Sequence, residues 1–315
     1  MKFSILSYCV TVAVTLSAWG AGTLAVRDAV ARFTKGDQTV LCLPSYPEPS
    51  RAAVQFLEEA QQLPDRDKRL DLLQFAWALE QEQLRRAGPV SHSKNSRLGQ
   101  LLVQFVCSDP GRYVHREAAN ALRGLFAPAD LDSFAAQLAE AARRWKQPEI
   151  VILYGLLPSS DGAAVQVMAQ ELSGTSRRVS SLLRGVLARH GDKAAQQELL
   201  GQLRHADTQD GNDMRTLAEA LGFIRTKEVQ TALAGGLRLP DRIDHPGGGV
   251  TGRRGWYALA LVEMMLDDPV FPVKKRIPEY SDEQLDQIES WCVKNLSVRF
   301  PDGPRPKYPF KSLEH

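Results

Sequence analysis

One pattern constrains this chain more than any other: a leucine spacing that returns four times. Leu122, Leu156, Leu187 and Leu221 are each followed sixteen residues later by another leucine, at Leu138, Leu172, Leu203 and Leu237. Twelve residues after each starting leucine sits a further apolar residue: Phe134, Met168, Leu199 and Leu233. The starting leucines lie 34, 31 and 34 residues apart (122 to 156, 156 to 187, 187 to 221). A period in that range marks stacked supersecondary units, each too small to cover its own apolar side. Within a unit the two later positions are four apart and share one helical face, as with Phe134 and Leu138. Ala118, Ile152, Leu183 and Leu217 stand four residues before the starting leucines and put an apolar face on each first helix. Turn formers separate the two helices: Pro128-Ala129-Asp130, Pro158 to Gly162, His190-Gly191-Asp192, and Arg225-Thr226-Lys227. The spacing predicts helix, short turn, helix, repeated over residues 108–239.

These units resemble HEAT-like repeats of the phycobiliprotein-lyase type. A unit of that family reads Asp, a few residues, Val-Arg, an Ala-rich helix, Leu-Gly, a turn, then leucines on a second helix. The chain carries Asp109, Val114, Arg116, Ala118, Ala119, Ala121 and Leu122. Later copies carry Arg178-Val179, Leu187 and Gly191-Asp192, then Asp213, Arg215, Ala218, Ala220, Leu221 and Gly222. The copy around Ile150–Leu172 departs from the pattern, lacking the Asp and the Arg. The resemblance implies an all-α fold, an alpha-alpha superhelix (HEAT-like solenoid). It also implies a scaffold or binding surface, on which Arg116, Arg178 and Arg215 tie adjacent repeats together or contact a partner.

The N-terminus has a different character. Lys2 precedes an uncharged apolar run from Phe3 to Val26, and Ala21-Gly22-Thr23-Leu24-Ala25 offers a cleavage point after Ala25. A basic start, an apolar stretch and small residues at its end describe an export signal. The run is also long enough to span a membrane, for which roughly 20 residues suffice. Residues 1–25 are therefore a signal peptide or a membrane anchor, and the bulk of the chain is expected to work outside the cytoplasm, in the periplasm or extracellular space. Cys9 lies in this run, which leaves Cys42, Cys107 and Cys292 for an oxidising compartment. Cys107 sits in a helical apolar pattern and reads as a buried thiol, whereas a Cys42–Cys292 bond is open, because spacing does not fix connectivity.

The rest divides into a linker (26–50), N-terminal helices (51–107), the repeats (108–239), a Gly-rich loop with C-terminal helices (240–296) and an extended tail (297–315). Ser50 and Ser96 read as helix caps, and Ser281 with Gln284 as a capping box. The tail alternates proline, cation and aromatic from Phe300 to Phe310; it either docks in a partner's groove or folds back on its own body.

Charge and motifs narrow the chemistry. With 39 basic and 37 acidic residues the net charge is +2, so nucleic acid is not an expected partner. None of the six histidines stands at metal-ligand spacing from another His or Cys, and no Gly-x-Ser-x-Gly elbow occurs. No metal, cofactor or catalytic residue is expected. The sharpest local feature is the loop Gly247 to Gly255: Gly248, Gly249 and Gly252 offer free amides, and Arg253 and Arg254 open a helix beside them. Amides, cations and a helix start can together hold a phosphate or carboxylate. The other basic clusters are Arg143, Arg144 and Lys146, and Arg177 and Arg178. The reading is a non-catalytic, exported or membrane-tethered repeat scaffold that binds a protein partner. Its alternative is an anion-binding protein or enzyme using the glycine loop.

Overall fold

The structure, a computed structural model, describes residues 25–43, 46–87, 97–172, 176–204, 211–238, 253–264 and 280–305. The apolar run up to Leu24, the loop with Ser96, the glycine-rich stretch 239–252 and the tail beyond Arg305 lie outside the described residues. Among the described residues every regular element is helical and no strand occurs. The chain divides into two compact units, Met1–Ala141 and Ala142–His315.

The first unit contains α1 (Val26–Thr34), α2 (Pro49–Gln62), α3 (Arg66–Ala87), α4 (Arg97–Ser108) and α5 (Arg112–Leu125). A short helix α6 (Pro128–Leu131) then runs through a 3-10 turn (Asp132–Phe134) into α7 (Ala135–Trp145). Helix α2 packs on α3 and α4, and α5 packs on α3 and α4, so two hairpins lie side by side. Tyr46, Phe56 and Phe75 meet edge to face, with centroids 5.1–5.7 Å apart. The Tyr46 hydroxyl donates to the Val40 carbonyl at 2.9 Å, and burial pushes this phenol up to about 12.

Two expectations fail here. Residues 26–50 are not simply a linker: Val26, Ala29, Val30 and Phe33 form one buried face of α1. Ser50 does not cap α2, because Glu48 takes that position and Pro49 opens the helix. The Ser50 hydroxyl instead donates to Glu80 at 3.1 Å. Asp65, by contrast, caps α3 by accepting from the amides of Asp67 and Lys68.

Asp109, which opens the first repeat, is buried and takes a two-pronged contact from Arg69 at 2.7 and 3.3 Å. It also accepts the Gly111 amide, while its own carbonyl accepts from His115 Nε2. Such a set of partners is what makes a buried ion pair tolerable, since both carboxylate oxygens accept hydrogen bonds.

The second unit holds α8 (Pro148–Gly155), α9 (Gly162–Glu171), α10 (Arg177–Arg189), α11 (Lys193–Arg204), α12 (Gly211–Gly222), α13 (Lys227–Gly236), α14 (Arg253–Met264) and α15 (Asp282–Leu296). First helices pack in chain order: α8 on α10, α10 on α12, α12 on α14. Second helices fill the junctions, α9 against α10, α11 against α12 and α13 against α14. Three glycines allow the close approach. A Cβ on Gly155 would lie 2.3 Å from Val186, one on Gly185 2.5 Å from the Ala220 carbonyl oxygen, and one on Gly236 2.5 Å from the Tyr257 ring. The turn after α10 uses Gly191 at φ +94, with the Asp192 amide reaching back to the Leu187 carbonyl. This left-handed closure is favourable chiefly for glycine.

The echoed residues behave as the spacing requires. Leu122, Leu138, Leu156, Met168, Leu199, Leu221, Leu233 and Leu237 are buried. Phe134, Leu172, Leu187 and Leu203 are half-buried, and none of the twelve is exposed. Ala118, Ile152, Leu183 and Leu217 are all buried.

The tail folds back as far as it is described. Ser281 and Gln284 form the expected capping box of α15, and Ser297 ends that helix at φ +58. Arg305 then returns to α15, contacting Glu289 at 2.8 Å and Asp286 at 2.6 Å. Arg238, just after α13, holds the other Glu289 oxygen at 2.7 Å and donates to the Gly303 carbonyl at 2.7 Å.

Candidate functional site

A groove of about 460 Å³ opens in the second unit where the end of α7 meets α8 and α9. Its bottom is apolar: Ala142, Val151 and Met168 line it and are buried. Arg143 and Lys146 stand on one side, from the last turn of α7 and the residue that ends it; Asp161, Val167 and Glu171 stand on the other, from α9 and its cap. Local sequence explains each wall. Lys146 sits at φ +47, its amide still bonded to the Ala142 carbonyl, so the chain turns sharply and Pro148 can open α8. Asp161 accepts from the amides of Ala163 and Ala164 and so starts α9.

The charges are unequally satisfied. Lys146 Nζ lies 2.9 Å from Glu171 across the groove, but both side chains are about half exposed (65% and 48%), so solvent screens the pair. Arg144 lies over the Trp145 ring at 4.5 Å. Arg143 is exposed and makes no ion pair among the described residues. Val167, on α9, is 57% exposed although it lines the groove.

Of the residues singled out from sequence, Arg143 and Lys146 of one basic cluster line this groove, whereas Arg116 and Arg215 do not. Gly248, Gly249 and Gly252 lie outside the described residues. Arg253 and Arg254 form the first turn of α14, and Arg178 the first turn of α10, with side chains outside the described set. Arg116 pairs with its neighbour Glu117 at 3.0 Å and lies 5.2 Å from the Tyr113 ring, both on its own helix. Arg215 is exposed and lies 5.8 Å from the Trp256 ring on α14, the next first helix.

Other side chains join neighbouring hairpins. The Gln196 and Gln197 amides both donate to Glu228, at 2.6 and 3.1 Å, and thus link α11 to α13. Arg189 donates to the Phe223 carbonyl at 3.3 Å, linking α10 to the end of α12. His190 Nε2 donates to the Gly155 carbonyl at 2.8 Å, fastening the turn after α10 to α8. None of these carried a sequence signal, because partner and donor are some thirty residues apart and meet only when hairpins stack.

Among the described residues no group of three or more His, Cys, Asp or Glu is placed to hold a metal ion. No disulfide joins the described cysteines; Cys42 and Cys107 are half-buried and Cys292 is buried. Cys107 is thus less enclosed than expected; its thiol donates to the Gln137 carbonyl at 3.7 Å. Among the described residues no helix is long and apolar enough to cross a membrane. Compared with family models, with curated proteins and with solved structures, the chain matches none.

Proposed function

We propose that this chain is a non-catalytic scaffold built from HEAT-like helical repeats in an alpha-alpha superhelix, exported or membrane-tethered through residues 3–26, and that it acts by binding a protein partner. The observation that carries this reading is the ordered packing of α8, α10, α12 and α14, each first helix on the next. Hairpins that bury their leucines only against neighbours form a rigid body whose remaining faces are free for recognition. The polar groups support the same reading. The Gln196–Glu228, Arg189–Phe223 and His190–Gly155 contacts are spent on holding hairpins together. Cys292 is buried, with its thiol pushed up to about 12, and so is poorly suited to act as a nucleophile.

The test is photocrosslinking of the full-length chain in its native cells, with the probe placed on the exposed faces of α9 and α10. A single specific partner supports the reading. Absence of any partner across all probe positions, under conditions in which the protein is abundant and folded, refutes it. N-terminal sequencing of the mature protein decides between a chain that starts at Val26 and one that keeps its apolar run.

A further inference from the structure

We infer that Asp282, Asp286 and Glu289 on α15 form a site for an arginine-bearing segment of a protein partner, and that the chain's own residues 298–305 fill it in cis as a removable strap. This rests on the reading of the chain as an interaction module and names one surface and the chemistry it takes.

The site holds its ligand in this structure. The Arg305 side chain is only 8% exposed, although it ends a segment that mostly faces solvent. Its Nε donates to Glu289 at 2.8 Å, its Nη2 to Asp286 at 2.6 Å and its Nη1 to the Asp282 carbonyl at 3.3 Å. Three nitrogens in one plane meet three separate acceptors, which a guanidinium can do and a lysine ammonium cannot. Asp282, Asp286 and Glu289 follow one another at helical spacing and share one face of α15. The helix dipole accounts for Asp282 in the first turn, but not for the two acids beyond it. Carboxylates so spaced repel one another along a helix unless a cation lies among them. Without Arg305 the three keep one cation, Arg238, which holds the second Glu289 oxygen at 2.7 Å.

The strap is able to leave. Arg299, Pro301, Asp302, Gly303 and Pro304 are exposed, and Val298 and Phe300 are half-buried, so the segment buries no apolar side chain fully. Its hold is polar and concentrated in Arg305. Arg238 assists, donating to the Gly303 carbonyl and lying 5.7 Å from the Phe300 ring. When the strap lifts, Glu289 keeps Arg238, so no buried carboxylate is stranded; stranding is what makes most buried pairs hard to open. Asp282 and Asp286 are 75% and 69% exposed and rehydrate freely. Ser297, at the root of the strap, sits at φ +58, a strained region for serine that opening relieves.

The test uses the full-length chain and a fluorescent peptide, Phe-Pro-Asp-Gly-Pro-Arg-Pro-Lys, which copies residues 300–307. Anisotropy is followed up to about 1 mM protein, roughly the concentration a short tether supplies. Arg305→Ala, with its strap loosened, is expected to bind the peptide about thirtyfold more tightly than wild type, whose site is filled. A peptide with lysine in place of the arginine should bind about tenfold more weakly. Asp286→Asn, added to Arg305→Ala, should weaken binding severalfold at an unchanged melting temperature, because Asp286 is exposed. Trypsin should cut after the exposed Arg299 about thirtyfold faster in Arg305→Ala, while α8 to α13 stay intact. Four results overturn the proposal: equal peptide binding by wild type and Arg305→Ala, no binding by Arg305→Ala, equal binding of the lysine peptide, or unchanged cleavage at Arg299. In cells, a photocrosslinking probe at the exposed Ser290, one turn from Asp286, should capture more partner in Arg305→Ala than in wild type. A partner captured through α9 or α10 and never at Ser290 sinks this inference and leaves the scaffold reading standing. No partner at any position sinks the scaffold reading, while the peptide titration still decides whether the strap fills a site.

Discussion

Gly185 and Gly201 make a matched pair with opposite expected outcomes. Both are helical glycines, in α10 and α11, and replacing either with alanine brings the same backbone benefit. That benefit is close to 1 kcal/mol at most, from the entropy glycine loses in a helix. Nothing lies within 4 Å of a Cβ at Gly201, so Gly201→Ala should stabilise the protein by about 0.5–1 kcal/mol. At Gly185 the new carbon would sit 2.5 Å from the Ala220 carbonyl oxygen, 2.9 Å from its Cα and 3.0 Å from its carbonyl carbon. These are backbone atoms on α12 and cannot swing aside as a side chain would. The two helices must part, and overpacking of this kind costs about 1–3 kcal/mol, occasionally more. Separation also loosens the contacts of Leu183 and Val186, both buried on α10. Set against the propensity gain, Gly185→Ala should destabilise by about 1–2 kcal/mol. Urea unfolding followed by circular dichroism measures both, read as shifts of midpoint at constant slope. A Gly185→Ala protein as stable as wild type would refute the close packing of α10 on α12. So would a pair of variants that shift the midpoint in the same direction.

Other expectations follow from buried charge. Arg305→Ala removes one of the two cations on Glu289, and with Arg238 still in place the loss should be about 2–3 kcal/mol, below the usual cost of breaking a buried pair. It should also expose residues 298–305 to proteolysis, and Arg305→Lys should recover only part of the protection because it lacks the fork. Burial raises the Glu80 carboxyl above its ordinary 4.5, with the Ser50 hydroxyl partly offsetting the effect. The folded chain therefore binds this proton more tightly than the unfolded one, so this group's contribution is greatest below the unfolded pKa and declines as pH rises toward the raised folded value. Glu80→Gln should flatten that decline, leaving the variant more stable than wild type at neutral pH and matched to it in acid; chemical unfolding across pH checks the sign. Cys292 is fully buried and its thiol lies near 12, so iodoacetamide should label it only after denaturation, as peptide mass spectrometry would report.

Much of the helical layout could be read from residue spacing, because leucines at fixed intervals have only one economical way to leave water. The capping box at Ser281 and the turn at Gly191 were equally legible, since each depends on a few adjacent residues. Local chemistry was less decisive at α1. Val26, Ala29, Val30 and Phe33 form a helical face, but their pattern merges with the apolar run before them and the proline-rich stretch after them. Ser50 looked like a cap because its residue type favours one, yet Pro49 before it starts the helix earlier and frees the hydroxyl for Glu80. The candidate site was the least legible part. Arg143 and Lys146 stood out as a cluster, but nothing in the sequence says that Val167 and Met168 complete a cleft beside them. Val167 reads simply as one apolar residue among several on α9; only the turn at Lys146, with its left-handed backbone, brings that helix across from the end of α7.

The central claim is that consecutive hairpins of the second unit are stacked, first helix on first helix, with glycines at the junctions. Nuclear Overhauser contacts read this directly. Selectively labelled protein should show cross-peaks from Gly155 to the Val186 methyls, from Gly185 to the Ala220 backbone, and from Gly236 to the Tyr257 ring. All three together are the predicted result; helices that form but give none of these contacts would contradict the account.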